Sequence, residues 1–192
     1  MLEVRDDNGA AFEELMLRYH ARLITVLEHL VGRRGHAEEL AQEVFLRVFQ
    51  ARKRYVPGSK FSTWLFTIAN NLASNAIRLS YRRREVNLEA QDSGAQGGNP
   101  LDTLAKAQSG QMPTRQLDKT ELQEMVRLAV AQLSERQRMA VVLNKFEDMS
   151  YDEIAETMNM SPQAVKSLLS RARENLRLFL EPYIDRGEYP EA

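Results

Sequence analysis

Apolar residues recur at intervals of three and four positions along most of this chain, and that spacing sets the strongest limit on its fold. The pattern runs unbroken from Phe12 to Leu30. Such spacing gathers apolar side chains on one face of an α-helix, where they can be buried together. Alternating β-branched runs bounded by hairpin turns, which would indicate strands, are absent from the sequence. The sequence therefore predicts an all-α fold.

Two further helices are predicted in the first half of the chain. The segment 32–35 (GRRG) ends the first helix, and a loop marked by Pro57 and Gly58 separates the second helix from the third. The third helix, FSTWLFTIANNLASNAIRLSYRRR at residues 61–84, contains no acidic residue. Its apolar stripe is predicted to be core and consists of Phe61, Leu65, Ile68, Leu72, Ala76 and Leu79. Its opposite face carries Thr63, Thr67, Asn70, Asn71, Ser74, Asn75 and Arg78.

The uncharged face of this third helix suits contact with DNA. A face turned only to solvent usually carries Glu and Lys at four-residue spacing, whereas amides and hydroxyls can bond base edges and sugars. The whole segment from Arg52 to Arg84 is free of acidic residues, although the chain has a net charge of only −1. Charge segregation of this kind indicates a nucleic-acid surface, with two oppositely charged solvated faces as the alternative.

The composition changes between residues 87 and 116, where NLEAQDSGAQGGNPLDTLAKAQSGQMPTRQ is rich in Gly, Gln, Ser and Ala. Such a segment buries too little apolar surface to offset the entropy of ordering, so a flexible linker is predicted. Its root-mean-square span would be roughly 30 Å. The predicted architecture is therefore two small helical domains, at residues 10–86 and 117–182, that can sit on separate parts of a partner.

Helix start signals divide the C-terminal block into four helices. A serine followed three residues later by Glu or Gln marks a capping box, and a Ser-Pro pair marks an N-cap with a first-turn proline. These signals are Ser134 with Gln137, Ser150 with Glu153, and Ser161 with Pro162.

The last two of these helices have the spacing of a helix-turn-helix. Asn159 stands at the turn, where a left-handed conformation is needed, and the small Ala155 allows the next helix to cross closely. In such a motif the second helix lies in the major groove, where Gln, Lys and Arg can bond base edges. The residues predicted to face DNA are Gln163, Lys166, Ser167, Ser170, Arg171 and Arg173.

Several classes of site are missing from the sequence. It has no cysteine, so disulfides, thiol nucleophiles and cysteine zinc sites are excluded. His20, His29 and His36 lack the spacing of metal ligands, and neither a metal nor a cofactor is predicted. A signal peptide and an apolar run of roughly 18 residues for crossing a bilayer are also absent. We therefore expect a cytoplasmic protein without membrane insertion.

Three segments of the chain resemble the extracytoplasmic-function (ECF) sigma factors of the bacterial sigma-70 family. AEELAQEVFLRVF is similar to the polymerase-binding segment of sigma region 2, and FSTWLFTIANNLASNAIR is similar to the segment of that region that meets the promoter −10 element. LSERQRMAVVLNKFEDMSYDEIAETMNMSPQAVKSLLSRARENLR is similar to region 4. The resemblance covers residues 10–86 and 117–180, with a linker where the family has one.

This resemblance implies a promoter-specificity subunit without catalytic activity of its own, which binds core RNA polymerase and directs it to −10 and −35 elements. Family members are often held by an anti-sigma factor, so one is a further expected partner. The residues that the resemblance assigns to −10 DNA are Arg54, Tyr55, Lys60, Asn71, Asn75, Arg78, Arg82 and Arg83. Those assigned to polymerase are Glu39, Gln42, Glu43 and Arg47. The helix-turn-helix residues would contact the −35 element.

The expected roles of the −10 residues differ. In the family, the loop before the third helix helps to form a pocket for a base extruded from the melted strand. Tyr55 would stack on that base, with Arg54 and Lys60 on phosphates, as aromatic and basic groups do in single-strand binding. Arg82 and its neighbours would hold phosphates without regard to sequence. Trp64, at the border of the apolar stripe, is predicted to belong to the core.

Two other functions stay open at this point. One is a DNA-binding regulator that works without polymerase, and the other is a sigma-like protein that sequesters a partner. An enzyme is least favoured, because the sequence has no nucleophile–base set, metal cluster or phosphate-binding glycine loop. The acidic face of the second helix favours the sigma factor, since a plain regulator has no need of it. The chain departs from the usual family residues at four positions, and these departures bear on which promoter sequence it would recognise. The four positions are His36, Phe49, Asn75 and Leu168.

Overall fold

The computed structural model describes residues 1–91 and 119–186, with the backbone alone for residues 83–91, 119–121, 123 and 184–186. Within those ranges the regular structure is helical and includes no strand, which confirms the predicted all-α fold. Most of the predicted linker lies outside the described residues. The helices are α1 (Leu2–Arg5), α2 (Gly9–Val31), α3 (Arg34–Ala51), α4 (Phe61–Gln91), α5 (Lys119–Gln132), α6 (Glu135–Phe146), α7 (Tyr151–Met158) and α8 (Pro162–Arg186), with a 3₁₀ turn at Arg52–Arg54.

Local signals explain the ends of α2. Asn8 caps its start by accepting a hydrogen bond from the backbone N–H of Ala11 at 3.1 Å. Gly32 ends it in the left-handed region, at φ 75°, where a side chain would be strained. The break after α2 is shorter than the sequence predicted, because α3 already starts at Arg34 and includes His36 in its first turn.

The two helical units are docked on each other around one continuous core. α2 packs against α3 and α4 within the N-terminal unit, and also against α5 and α6 of the C-terminal unit. α4 packs against α7. Residues buried in this core include Leu23, Leu27, Val44 and Phe66 from the first unit and Val142, Leu143, Ile154 and Val165 from the second. Burial of such side chains stabilises the fold by about 1.5–3 kcal/mol each relative to exposure.

Helix α4 differs from its sequence prediction in three respects. It continues to Gln91, past residue 87 where the linker was predicted to begin, because Leu, Glu, Ala and Gln in this stretch are good helix formers. Leu79, predicted as core, is half exposed, whereas Phe66 is fully buried. Thr63, predicted on the polar face, is completely buried. The buried side of α4 is therefore rotated from the predicted stripe, since α4 packs against α7 as well as α2 and α3.

The C-terminal unit has the four helices that the start signals predicted. Both capping boxes are present, at Ser134 and at Ser150. Helix α8 runs further than expected, because it continues through Pro182 to Arg186. Tyr183, just past residue 182 where the second domain was predicted to end, is buried beside Phe179, with ring centroids 5.9 Å apart. None of the described helices is long and apolar enough to cross a bilayer.

Candidate nucleic-acid interface

Helices α7 and α8 form the helix-turn-helix. Asn159 ends α7 in the left-handed region at φ 50° and ψ 57°, as the sequence predicted. Ser161 caps α8 by accepting a hydrogen bond from the backbone N–H of Ala164 at 3.2 Å. Val165 and Leu169 on α8 are buried. The polar side of α8 is therefore turned away from the protein.

All six helix-turn-helix residues predicted to meet DNA are exposed on α8. The acidic residue beside them, Glu174, is bound by Arg177 at 2.8 Å, and this bond lowers the pKa of the Glu174 carboxyl. In the described part of the chain no carboxylate pairs with Lys166, Arg171 or Arg173. These three cations are therefore available for phosphates or for guanine edges.

The exposed side of α4 carries the predicted −10 residues. Asn71, Asn75, Arg78 and Arg82 are all exposed. Arg78 donates a hydrogen bond from Nη2 to Asn75 Oδ1 at 3.1 Å, which leaves the Asn75 amide group free to donate. Arg83 belongs to the same helix, but its side chain lies outside the described atoms.

These four exposed residues line a cleft of about 630 Å³ between the two units. The opposite wall comes from α6 and α7, with Glu135, Arg136, Met139 and Met158. Other residues of the predicted polar face are less accessible, since Thr67, Asn70 and Ser74 are half-buried, although Asn70 and Ser74 also line the cleft. The amide-rich face that the sequence predicted is therefore present, but only part of it reaches solvent.

The loop before α4 holds its aromatic residues in a cluster. The Tyr55 ring packs edge-on against Trp64 at 5.2 Å and lies 6.5 Å from Phe61. Trp64 is partly buried against the core. Tyr55 therefore has a fixed orientation, with part of its ring left for a stacked base. Arg54 is exposed, whereas Lys60 is paired, with its Nζ 2.8 Å from Glu153 Oε1 on α7.

Part of the basic run beside this loop is neutralised within the protein. Arg52 Nε lies 2.8 Å from Asp7 Oδ1, and Lys53 bonds the other oxygen of Asp7. The hydrogen bond from Lys53, followed by that from Arg52, lowers the pKa of the Asp7 carboxyl. No local sequence pattern indicates this pairing, because Asp7 precedes Arg52 by 45 positions. Of the cations in and beside this loop, Arg54 is then the one without a carboxylate partner among the described residues, since Lys60 is paired with Glu153.

The predicted polymerase residues share one side of α3. Glu39, Gln42 and Arg47 are exposed, and Glu43 is half-buried and accepts a hydrogen bond from Arg47 Nε at 2.8 Å. Sequence reasoning missed the exposed apolar side chain of Leu46 on the same helix, which is 50% exposed. Acidic groups around an exposed apolar side chain form a surface suited to a protein partner. Within residues 1–91 and 119–186 no cluster of His, Asp or Glu is arranged to hold a metal ion.

Comparison with known protein families gives matches to both helical units. The profile described as "Sigma-70 region 2" matches residues 15–83, and the profile described as "Sigma-70, region 4" matches residues 123–176. Both helices proposed to meet DNA lie in these matches: most of α4 in the first and the first half of α8 in the second.

Relatives of similar length cover nearly the whole chain. The RNA polymerase sigma factor CarQ of Myxococcus xanthus is 33% identical over 180 residues, which cover 94% of this chain and 95% of that protein. The ECF RNA polymerase sigma-E factor of Escherichia coli K12 is 28% identical over 187 residues, with 95% and 93% covered. Among solved structures, the same fold occurs in the sigma factor RpoE of Bartonella quintana, which was crystallised with the anti-sigma factor NepR. The TM-score is 0.64 and the sequence identity is 24%, and the match covers 92% of this chain and 99% of that one.

Proposed function

This chain belongs to the ECF group of the sigma-70 family, and we propose that it is an alternative sigma factor with two DNA-reading surfaces and one polymerase-docking surface. It binds core RNA polymerase and directs initiation at promoters that it recognises through their −10 and −35 elements. It acts where the polymerase acts, in the cytoplasm, and it contributes specificity rather than catalysis of its own.

One observation carries this proposal: two helices of one chain, α4 and α8, expose chemically different polar faces, and each helix lies mostly inside its family match. On α8, an exposed row of Gln, Ser, Lys and Arg suits the major groove of duplex −35 DNA. On α4, Asn71, Asn75 and Arg78 suit base edges, and Arg82 and Arg83 suit phosphates. Tyr55, Arg54 and Lys60 in the preceding loop suit an unpaired base and its backbone.

The α3 surface distinguishes this proposal from a DNA-binding regulator that acts alone. Glu39, Gln42, Glu43 and Arg47, with Leu46 between them, form a second type of surface that would repel DNA and suit a protein. Ion pairs at such a surface set orientation and association rate more than affinity. We assign this surface to core polymerase. An anti-sigma factor is a further proposed partner, because the solved structural neighbour from Bartonella quintana is bound to one.

Run-off transcription tests the proposal. Core RNA polymerase is incubated with fragments of bacterial genomic DNA, with and without this protein, and the transcripts are sequenced. We expect discrete start sites that require the protein. Transcripts that are unchanged by the protein, in a reaction where it demonstrably binds core, would contradict the proposal and favour a sequestering role.

A further inference from the structure

We propose that Asp7 is a positioning residue for the loop before α4: it fixes the 3₁₀ turn that leads into Tyr55, the residue expected to stack on an unpaired −10 base. This inference rests on the proposed function, because it concerns how that base is held. Asp7 lies outside the stretch that matches sigma-70 region 2, which begins at residue 15. The role is therefore not carried over from the family match.

The segment before α2 is folded against the protein and fixes the backbone at Asp7. Val4 in α1 is only 1% exposed, and α1 packs against both α2 and the 3₁₀ turn. The N–H of Asn8 bonds the backbone oxygen of Glu3 at 3.0 Å, and Asn8 also caps α2. Asp7 itself has a φ of 65°, a conformation that Asp and Asn adopt more readily than most residues. The backbone that carries its carboxylate is therefore held from both sides.

The Asp7 carboxylate joins this segment to the 3₁₀ turn. Its Oδ1 lies 2.8 Å from Arg52 Nε, and Lys53 bonds its Oδ2. Lys53 Nζ also donates a hydrogen bond to the backbone oxygen of Arg5 at 2.8 Å. A single exposed ion pair contributes little to stability, but here two cations share two acceptors in one network. The turn is therefore tied to the N-terminal segment at two consecutive residues.

Arg52 is also held by the end of α3. Its Nη1 donates a hydrogen bond to the backbone oxygen of Phe49 at 2.8 Å, and its guanidinium carbon lies 3.9 Å from the centre of the Phe49 ring. Phe49 in turn packs against Phe12 of α2, with ring centroids 5.2 Å apart. The Arg52 side chain is only 22% exposed. Asp7 thus completes a set of contacts that gives Arg52 one orientation.

The turn determines where the loop starts. The N–H of Tyr55 bonds the backbone oxygen of Arg52 at 3.2 Å, and at the far end the N–H of Trp64 bonds that of Lys60 at 3.3 Å. Between these ends, residues 56–59 make no backbone hydrogen bond to any described residue. The orientation of Tyr55 therefore depends on the turn and on its ring contact with Trp64. A binding residue must be held within about 0.5 Å of its productive geometry, and the anchored turn provides that precision.

Asp7 also determines which cation of the turn can meet a phosphate. With Arg52 and Lys53 paired, Arg54 is the exposed cation of the turn that has no carboxylate partner among the described residues. Cations bind phosphates without regard to sequence, so freeing Arg52 and Lys53 would let a strand bind in a register that misses Tyr55. Loss of the Asp7 charge should therefore strengthen non-specific binding while it weakens the contact with one base. A general loss of folding would weaken both.

The variant D7N tests this role, and E13Q is its control. Asn has the size of Asp and the same tolerance of positive φ, so D7N removes the charge and keeps the backbone. E13Q removes one negative charge from an exposed residue of α2 that bonds neither Arg52 nor Lys53. Circular dichroism verifies that both variants keep their helices.

Tryptophan fluorescence reports on the loop in the free protein. Trp64 is the single tryptophan, and the Tyr55 ring packs edge-on against it. If Asp7 holds the turn, its loss lets Tyr55 move away from Trp64. We therefore expect acrylamide to quench Trp64 more strongly in D7N than in wild type or E13Q.

Binding of DNA is measured with the full chain bound to core RNA polymerase. The probe is a fluorescein-labelled single strand with the downstream motif of a promoter that wild type transcribes, in which each nucleotide in turn is made abasic. One abasic position should weaken binding by wild type roughly fivefold to 150-fold, the contribution of one stacked base. D7N should lose most of that position-specific effect, and E13Q should keep it.

The salt dependence of binding to a random-sequence strand tests the second consequence. Each additional phosphate contact steepens the slope of log affinity against log salt concentration by about 0.7 for a single strand. The slope for D7N should therefore be steeper than that of wild type by up to about 1.4, because two cations are freed. E13Q should have the slope of wild type. Unchanged Trp64 quenching, an unchanged abasic-site effect or an unchanged slope in D7N, or equal changes in E13Q, would each overturn the positioning role.

A second variant covers the case in which D7N loses its helical circular dichroism. R52Q/K53Q removes the same contacts from the side of the turn, so it should lose the abasic-site effect without a steeper salt slope; a retained effect would overturn the positioning role. Run-off transcription by wild type separates the two proposals. If it succeeds and D7N behaves as E13Q does, only the positioning role fails, and if it fails, the proposed function fails and the positioning role fails with it.

Discussion

Arg138 on α6 holds the end of α5 and the end of α2, and its replacement by Met should destabilise the C-terminal unit strongly. Its guanidinium donates hydrogen bonds to the backbone oxygens of Val130 at 3.2 Å, Leu133 at 3.0 Å and Leu30 at 3.2 Å. It also bonds the backbone oxygen of Ala131. Carbonyls at the end of a helix have no partner within that helix, so Arg138 supplies one. Burial lowers the pKa of this arginine, and no carboxylate within the described residues is paired with it.

The cost of R138M follows from these contacts. Three of the four bonds go to carbonyls at or just after the end of α5, and each is worth about 1 kcal/mol net. The favourable position of a cation at a helix C-terminus adds about 0.3–1 kcal/mol. Because the guanidinium is only half-buried, we expect R138M to lower the free energy of unfolding of the C-terminal unit by about 2–4 kcal/mol.

Urea unfolding with two probes measures this loss where it arises. Circular dichroism follows the helices of both units, whereas the single tryptophan, Trp64, lies in α4 of the N-terminal unit and follows unfolding around that helix. The dichroism midpoint of R138M should fall well below that of wild type, and the Trp64 midpoint should move less, because Leu30 is the one acceptor in that unit. R136M removes an exposed arginine from the same helix and is the control. Equal stability of R138M and R136M would refute the capping role.

Three further predictions concern function and pH. R171A should weaken binding of the full chain to −35 duplex by about 1–3 kcal/mol if Arg171 bonds a guanine bidentately. Fluorescence anisotropy with specific and scrambled duplexes tests this, and equal losses on both would reduce Arg171 to a phosphate contact. K145A, which removes an exposed lysine from α6, is the control. E43K should abolish binding to core polymerase in a pull-down and leave binding to the −35 duplex unchanged. The control variant E14K should keep both activities. If E43K still bound core polymerase, the assignment of the α3 surface to polymerase would be contradicted. Burial, reinforced by Arg127 and Arg138 and opposed by Glu28, lowers the pKa of His29 from its ordinary value of 6.5. His29 in the unfolded chain therefore takes up a proton at higher pH than His29 in the folded protein, so the free energy of unfolding should fall as the pH drops from about 7.5 to about 5.5. H29Q should lose that part of the pH dependence in urea unfolding. The same pH slope in H29Q and wild type would contradict this prediction.

Features encoded by neighbouring residues were predicted well from the sequence. The capping boxes at Ser134 and Ser150, the left-handed turn at Asn159 and the exposed row on α8 depend on residues within a few positions of one another. Such signals act through local hydrogen bonds and helical periodicity, so the chain order alone contains them. The assignments of individual residues to promoter or polymerase remain predictions.

Features that depend on distant contacts were not predicted. The pairs Lys60–Glu153 and Arg22–Glu147 join residues far apart in the chain, and no local pattern indicates either one. Thr63 was placed on the exposed face of α4 because its neighbours at helical spacing are polar, yet tertiary packing buries it completely. Tyr183 lies just past the predicted end of the second domain at residue 182, yet it is buried beside Phe179. In each case tertiary packing outweighed the local pattern.

A promoter selection tests the central claim most directly. Core RNA polymerase and this protein transcribe a library of templates randomised across both element positions, and the templates that yield transcripts are sequenced. The account predicts two enriched sequence motifs at a fixed spacing, one read by α8 and one by α4. The library transcribed with R171A should then lose preference at one or two base pairs of the upstream motif alone. Enrichment of a single motif, or of none, would contradict the claim that this chain reads two promoter elements for RNA polymerase.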